Sequence, residues 1–535
     1  MVSSRGFAVL LAALFAAGCA GTVLGEIGAS GSAMRGFLDA RDVVLITAFR
    51  NLGGVAADAR VAYAAGPEGV IRYDQRFRRW EAPITRDDGY PVDEIPTALA
   101  VDRFARSLWL GTRSGGVYEF PLGLRSGWRW AGVAPGGAIR TLVPGENGVF
   151  ALTGVGWSYA DAGVGGVGPA PAVPADVARQ AEPLLRRMAA EDASFAASLT
   201  GALTDERLRR WEPTAAAEGP GGTDEFWIGT WGGGLFLYDD LSLRATHYPF
   251  GLVGRGVGAM AVAEDGTLWF GGDGLGERRG VTGADAQLQR WVWLEAPFER
   301  VPQGLVRDAL ATEDAAWFAA SDGLYRVSGG QGRRWTDADG LPSARATALA
   351  RVGDAIWVGT ERGLAVVRDG IAQRTGGVGA PAVTGLAVTG DSLVWIGTTR
   401  GLAVARARDG EPVPIPGTAA GQGARGVTIV DVADAGERVH VLAEGRVTTW
   451  DANGLLNALG VEVPRQIGRP LTLAADRSGV WVGGTTGVAF LDPVSGSAGT
   501  LLVPQQIPEG PIRQVLPAGD AVWLATPAGA VRLPR

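Results

Sequence analysis

Short segments in which apolar and small residues alternate around a glycine turn recur along almost the whole chain. The clearest are LWLGTRSGGVYEF from Leu108, FWIGTWGGGLFLYDD from Phe226, LWFGGDGLG from Leu268 and AWFAASDGLYRV from Ala316. They continue with IWVGTERGLAVV from Ile356, VWIGTTRGLAVA from Val394, VWVGGTTGVAFLD from Val480 and VWLATPAGAVRL from Val522. Weaker copies start at Val61, Val149 and Val439. Alternation with period two predicts a strand, and two such runs around a glycine predict a hairpin. The aromatic position of each copy gives a series of anchors: Tyr63, Trp109, Phe150, Trp227, Trp269, Trp317, Trp357, Trp395, His440, Trp481 and Trp523. Their spacing is about 42 residues, the length of one four-stranded β-propeller blade. The expected fold class is therefore all-β, a propeller of about eleven four-stranded blades.

Each part of the motif has a mechanical reading. The anchor aromatic fills the gap between neighbouring blades. The Gly-Thr after it leaves room where blades converge. The next glycine turns the chain into a third strand, which ends in Tyr-Asp at Tyr73-Asp74 and Tyr238-Asp239. A fourth strand carries arginine and an aromatic, as in RRW from Arg78 and from Arg333. These tryptophans are expected to be inter-blade core rather than ligand contacts.

The stretch RRWTDADGLPSARATALARVGDAIWVGTERGLAVV from Arg333 resembles the two-component regulator propeller repeat, with DGLPS before the first strand and WVGT on the second. The resemblance extends over roughly residues 60–535. It implies a propeller of the kind found in extracytoplasmic sensor domains of membrane-bound kinases. The chain departs from that arrangement in showing no later membrane span and no kinase segment, so only the sensing or binding part of that role is implied.

Eleven blades exceed the usual four to eight of one ring, so two rings are expected. The last copy ends just after its third strand, at Arg535, while residues 43–49 (VVLITAF) read as a strand without a hairpin partner. That strand could complete the last blade and join the two ends of the chain in one ring, with the other ring inserted between. The alternative is that it opens the first blade. Phe150 and Trp227 lie about 35 residues further apart than the period requires. The excess, residues 175–211, has helical character, and Leu184, Leu185, Met188, Phe195 and Leu199 fall at helical spacing as an apolar stripe. That stripe should pack on the propeller side or at a ring junction. Its functional reading is a surface for a protein partner.

The amino terminus changes the picture of where the chain works. Residues 1–18 (MVSSRGFAVLLAALFAAG) show one arginine and then an apolar run too short to anchor in a bilayer, the pattern of a signal peptide. Ala16, Ala17 and Gly18 precede Cys19, the only cysteine in the sequence. This resembles the lipobox of bacterial lipoproteins, although leucine is usual where Ala16 stands. The resemblance implies that Cys19 is lipidated and is the first mature residue. Ala20 is not aspartate, which by the sorting rule of that class implies the outer membrane. Residues 19–41 then read as a lipidated tether and residues 42–535 as the propeller repeats.

Composition narrows the chemistry. The net charge is −7, and all 49 basic residues are arginines scattered along the chain. With no basic stripe, nucleic acid is not expected as a partner. A single cysteine excludes an internal disulfide framework and a thiolate metal cluster. The two histidines, His247 in ATHYPF and His440 in RVHVLAE, are far apart and form no ligand pair. DADG at Asp337 and DG at Asp265 lack a full calcium loop and read as turns. No nucleophile elbow, cofactor motif or catalytic constellation is present. The leading expectation is a non-catalytic binding, scaffolding or sensory lipoprotein of the cell envelope. It would hold a protein or glycan on a propeller face. The alternative is an envelope propeller enzyme, such as a carbohydrate-active hydrolase or lyase.

Overall fold

Each glycine-centred segment forms the hairpin that its alternation predicts. In IWVGTERGLAVV, strand Ala355–Thr360 pairs antiparallel with Gly363–Arg368, and Trp357 faces Val366 across it. Ala346–Val352 adds on the inner side and Ile371–Arg374 on the outer side. The Thr360 hydroxyl donates to the Gly363 carbonyl at 2.8 Å and ties the turn, as Thr398 does to Gly401 and Thr526 to Gly529. The preceding glycine makes room for the next blade. A Cβ on Gly359 would meet Val383 at 2.5 Å, and one on Gly397 would meet Ile429 at 2.9 Å.

The computed structural model describes residues 43–535 apart from 124–126, 163–164, 171, 206, 376–378, 391, 416–425, 452, 457–459 and 493. Residues 1–42, with the expected signal peptide, Cys19 and the expected tether, lie outside the described residues. Among the described residues eleven antiparallel sheets follow one another, ten of four strands and one with a fifth. In chain order, blades 1 to 4 occupy residues 54–84, 96–133, 141–169 and 212–248. Blades 5 to 10 occupy residues 257–295, 306–335, 346–374, 383–413, 429–462 and 470–502. Blade 11 joins residues 514–534 to Val44–Ile46, in the register Val44↔Arg532, Leu45↔Val531, Ile46↔Ala530.

The blades form one closed ring and a second, four-bladed array, called the small ring below. From blade 5 to blade 11 each innermost strand packs on the next, and blade 11 returns to blade 5. At that closure the Arg513 guanidinium donates to Asp273 at 3.1 Å, and the Gln514 side chain accepts the Met260 amide at 2.6 Å. Blades 4, 1, 2 and 3 pack in that order as a second array, with the helical insertion between blades 3 and 4. The seven-bladed ring thus contains both ends of the described chain, and the four-bladed array is inserted between them. Blade 11 also meets the expectation of closure: its outer edge, which would otherwise be unpaired, is covered by Val44–Ile46.

Helices α1 (Ala175–Ala178), α2 (Leu184–Glu191) and α3 (Ala193–Ala202) stand between blades 3 and 4. Val177 packs with Val143 and Phe150 of blade 3. Phe195 and Leu199 are buried with Phe226 and Tyr238 of blade 4, and Leu184, Leu185 and Met188 pack against that cluster. The apolar stripe is not one continuous helical face, because the chain turns extended at Asp192. The Asp192 carboxylate accepts the Ser194 amide and starts α3 as a separate helix.

Two antiparallel crossovers, residues 47–53 and 249–256, join the rings and bridge at Ala48↔Gly251. Gly251 has a φ of 81°, and a Cβ there would lie 2.3 Å from the Thr47 carbonyl, so the close approach needs glycine. Phe49, Leu52, Phe250 and Leu252 form one core with Trp80 and Trp227 of the small ring and Trp291 and Trp523 of the large one. The rings therefore share apolar core as well as chain.

Candidate functional site

Ten of the eleven anchors are buried, Trp357 to 1% exposure, as a core role requires. Trp269 is the exception and is half-buried. Elsewhere a side chain covers the anchor across its hairpin: Val366 on Trp357, Val404 on Trp395, Arg326 on Trp317, Arg532 on Trp523. Trp269 faces Gly283.

A charged cleft of about 600 Å³ lies where blades 4 and 5, a crossover and the helical insertion meet. Glu295 ends the outer strand Trp291–Glu295 of blade 5 and is nearly buried. Its carboxylate accepts from Arg50 at 3.0 Å, Arg209 at 3.0 Å and Arg278 at 2.9 Å. Arg209 also holds Asp205 at 2.7 Å, and Arg207 pairs with Glu299. Aromatic faces back the cations: Arg50 lies 4.5 Å from the Trp293 centroid, and Arg209 and Arg278 lie 4.7 and 4.9 Å from that of Trp211. His247, on Arg244–Tyr248, stacks on Phe236 at 4.7 Å and bonds the Gly233 carbonyl at 2.9 Å.

These surroundings fix the charges. Burial pushes the Glu295 carboxyl up, but Arg50 and Arg209 outweigh it and hold it at about 2. Burial lowers Arg50 to about 10 against the pull of Glu295. Burial also lowers His247 to about 4, so its imidazole is neutral near pH 7. Near pH 7 Glu295 and Arg50 are thus charged and His247 is neutral.

The second histidine is also a packed residue. His440 is buried, with Nδ1 3.0 Å from the Thr449 hydroxyl, and burial followed by the Arg438 charge lowers it to about 4. Asp265 and Asp337 stand in turns as their sequences predict. Asp265 accepts the Thr267 amide at 2.9 Å, and Asp337 begins a one-turn helix closed by Thr336 and Asp339. A hollow of about 1340 Å³ lies beside blades 1 and 2, and in it Arg60 and Arg72 both pair with Glu81.

In the centre of the large ring, Asp308 and Asp431 sit on innermost strands and reach the next blade. Asp308 accepts the Leu349 amide at 2.7 Å and Asp431 the Leu473 amide at 2.8 Å. Each bond satisfies a donor on a strand edge that has no further strand to pair. Burial raises both carboxyls to about 7 despite these bonds, and Asp431 also feels the charge of Asp308.

Between blades 5 and 6 a groove of about 630 Å³ opens at the turns that follow the first and third strands. Trp269 lines it, and Val292, 52% exposed, lies beyond Gly283 in the same cross-strand row. The next groove, between blades 6 and 7, is covered differently: Arg326 lies over Trp317, and Arg333 is 4.5 Å from the Trp335 centroid.

Sequence reasoning did not find the inter-ring cleft. Arg50 and Glu295 are 245 residues apart and belong to no motif, so only ring packing brings them together. The open face of Trp269 did leave a signal, a glycine opposite the anchor. It was hidden because the blade 5 hairpin has a longer loop, residues 273–279, which shifts Gly283 out of its usual place.

No family model matches the chain, and no curated protein sequence matches it. Among solved structures it is similar to the extracellular domain of BT3049 from B. thetaiotaomicron, described as belonging to a hybrid two-component system. That match has 13% identity, covers 89% of this chain and 66% of that one, and has a TM-score of 0.39. It is also similar to PorZ, a surface component of the type-IX secretion system of Porphyromonas gingivalis, at 14% identity, 90% and 74% coverage and a TM-score of 0.42. Virginiamycin B lyase from Staphylococcus aureus gives 14% identity, 52% and 95% coverage and a TM-score of 0.42. The fold assignment stands on the strand pairing, and these likenesses carry no argument about activity.

Proposed function

We propose that the chain is a non-catalytic binding and scaffolding lipoprotein of the cell envelope, holding a protein or glycan ligand on a propeller face. The observation that carries this reading is the inter-ring cleft. Its acid, base and imidazole are locked in single charge states by their neighbours, which suits recognition and not acid–base turnover. The Trp-Gly repeats support a further step, that the propeller is of the two-component regulator type and serves a sensory function. The half-buried Leu184, Leu185 and Met188 of the insertion are the part this reading leaves to a protein partner. Cys19 supplies the lipid anchor and Ala20 the outer-membrane address. Several acyl chains on one residue would hold the chain firmly, as one would not.

Two experiments test this. Cys19→Ser should move the chain from the membrane fraction to the soluble periplasm; firm membrane retention of the variant contradicts the anchor. The full-length protein, immobilised and presented with purified envelope polysaccharides and peptidoglycan fragments, should retain a ligand saturably and release it unchanged. Release of shortened or unsaturated sugars would establish the enzyme reading instead.

A further inference from the structure

We infer that the groove between blades 5 and 6 is a glycan platform built on the open face of Trp269, specific for neutral or amine-bearing sugars. The inference rests on the binding reading above and names its ligand class and its site.

The platform follows from one missing side chain. In blade 5 the cross-strand row runs Ala261, Trp269, Gly283, Val292. An ideal Cβ on Gly283 would lie 3.3 Å from the indole ring, so the ring lies close against bare backbone where other blades place a covering residue. Phe318 of blade 6 meets the ring in a T-shaped contact at 6.3 Å and 72°, and Trp269 stays half-buried and lines the groove. With the exposed Val292 beside it, the row presents a flat apolar shelf crossing three strands. The C–H face of a pyranose ring suits such a shelf, because it has an extended apolar side and hydroxyls around its rim.

The rim of the groove sets the ligand's charge. Glu264, Asp265, Asp285, Glu313 and Asp314 line it against Arg290, and Arg290 is itself paired with Asp285 at 3.2 Å. The Thr267 amide and hydroxyl hold Asp265 below the usual carboxylate range, and the Thr312 hydroxyl with Arg326 does the same for Asp314. Ionised carboxylates accept hydrogen bonds from sugar hydroxyls and repel uronates and phosphates. The neighbouring groove shows the platform in its closed form. There Arg326 covers Trp317, and the ring is buried.

The test is calorimetric titration of the full-length protein with chitohexaose, with cellohexaose and with hexalysine. Two variants accompany the parent. Trp269→Ala removes the ring, and Gly283→Arg puts a side chain opposite it, as Arg326 stands opposite Trp317, with a Cβ 3.3 Å from the indole that crowds the shelf. A hexasaccharide should bind the parent saturably, and both variants should weaken it at least tenfold. Equal binding by Gly283→Arg overturns the platform while leaving the chain a binding protein. Binding of hexalysine alone, or of no hexasaccharide, also overturns it. Cleavage of the hexasaccharide by the parent would overturn the wider reading, and the variants would still decide the platform.

Discussion

The Arg50 guanidinium, on the crossover between rings, donates to the Glu295 carboxylate of blade 5 at 3.0 Å, with both side chains about 95% buried. Arg209 from the loop before blade 4 and Arg278 from blade 5 converge on the same carboxylate, so one acid holds the crossover, the insertion side and the large ring together. Removing one partner of a buried ion pair strands the other without compensation. Glu295→Ala should therefore cost about 3–5 kcal/mol. The expected signature is lower urea resistance and proteolysis at residues 47–53 and 249–256. A variant as stable as the parent, with uncut crossovers, would show that the apolar core around Phe49 and Phe250 holds the rings unaided.

Closure of the large ring makes a second prediction. Leu45 and Ile46 are buried, Leu45 among Val522, Leu524 and Val531 and Ile46 in the inter-ring core. Ile46→Ala should cost about 2–5 kcal/mol. Deleting residues 1–46 should leave residues 529–534 as an open edge. Amide exchange of residues 530–532 should accelerate in the deletion. Unchanged protection there would mean that Val44–Ile46 adds no stability to blade 11.

The channel acids predict a pH dependence with a definite sign. Asp308 and Asp431 rise from the ordinary 3.8 to about 7 on folding. The folded state thus binds more protons between these values, and the stability they contribute is present below pH 4 and lost as pH rises towards 7. His247 and His440, lowered from 6.5 to about 4, act oppositely over nearly the same range and mask the effect in the parent. The double variant Asp308→Asn, Asp431→Asn should therefore gain stability relative to the parent on going from pH 4 to pH 8. Urea midpoints at both values read this directly. A difference independent of pH would show that the acids are not perturbed.

Most of the fold was legible in the sequence because propeller stability is local and repeated. Each blade carries its own anchor, its converging glycine and its turn threonine, so Trp357, Gly359 and Thr360 can be assigned roles without knowing the ring. The seam was legible too, because residues 43–49 read as a strand with no hairpin partner of its own, and Val44–Ile46 pairs with blade 11. The division into seven and four blades was not, since it depends on the crossover geometry at Thr47 and Gly251. Nor was the break at Asp192, where one capping carboxylate interrupts an otherwise helical stripe. The inter-ring cleft was invisible for the reason that separates Arg50 from Glu295: its members meet only once the crossover and the insertion have packed on blade 5.

The central claim is that this chain binds and does not transform its ligand. The most direct measurement is the dissociation constant of a retained envelope glycan or protein from pH 5.5 to 8.5, with the ligand recovered and analysed at each point. The account predicts an affinity flat to about twofold, because Asp265 and Asp314 on the rim of the groove are held below the usual carboxylate range and stay ionised there, and a ligand recovered intact. A bell-shaped rate of ligand conversion across the same range would contradict it.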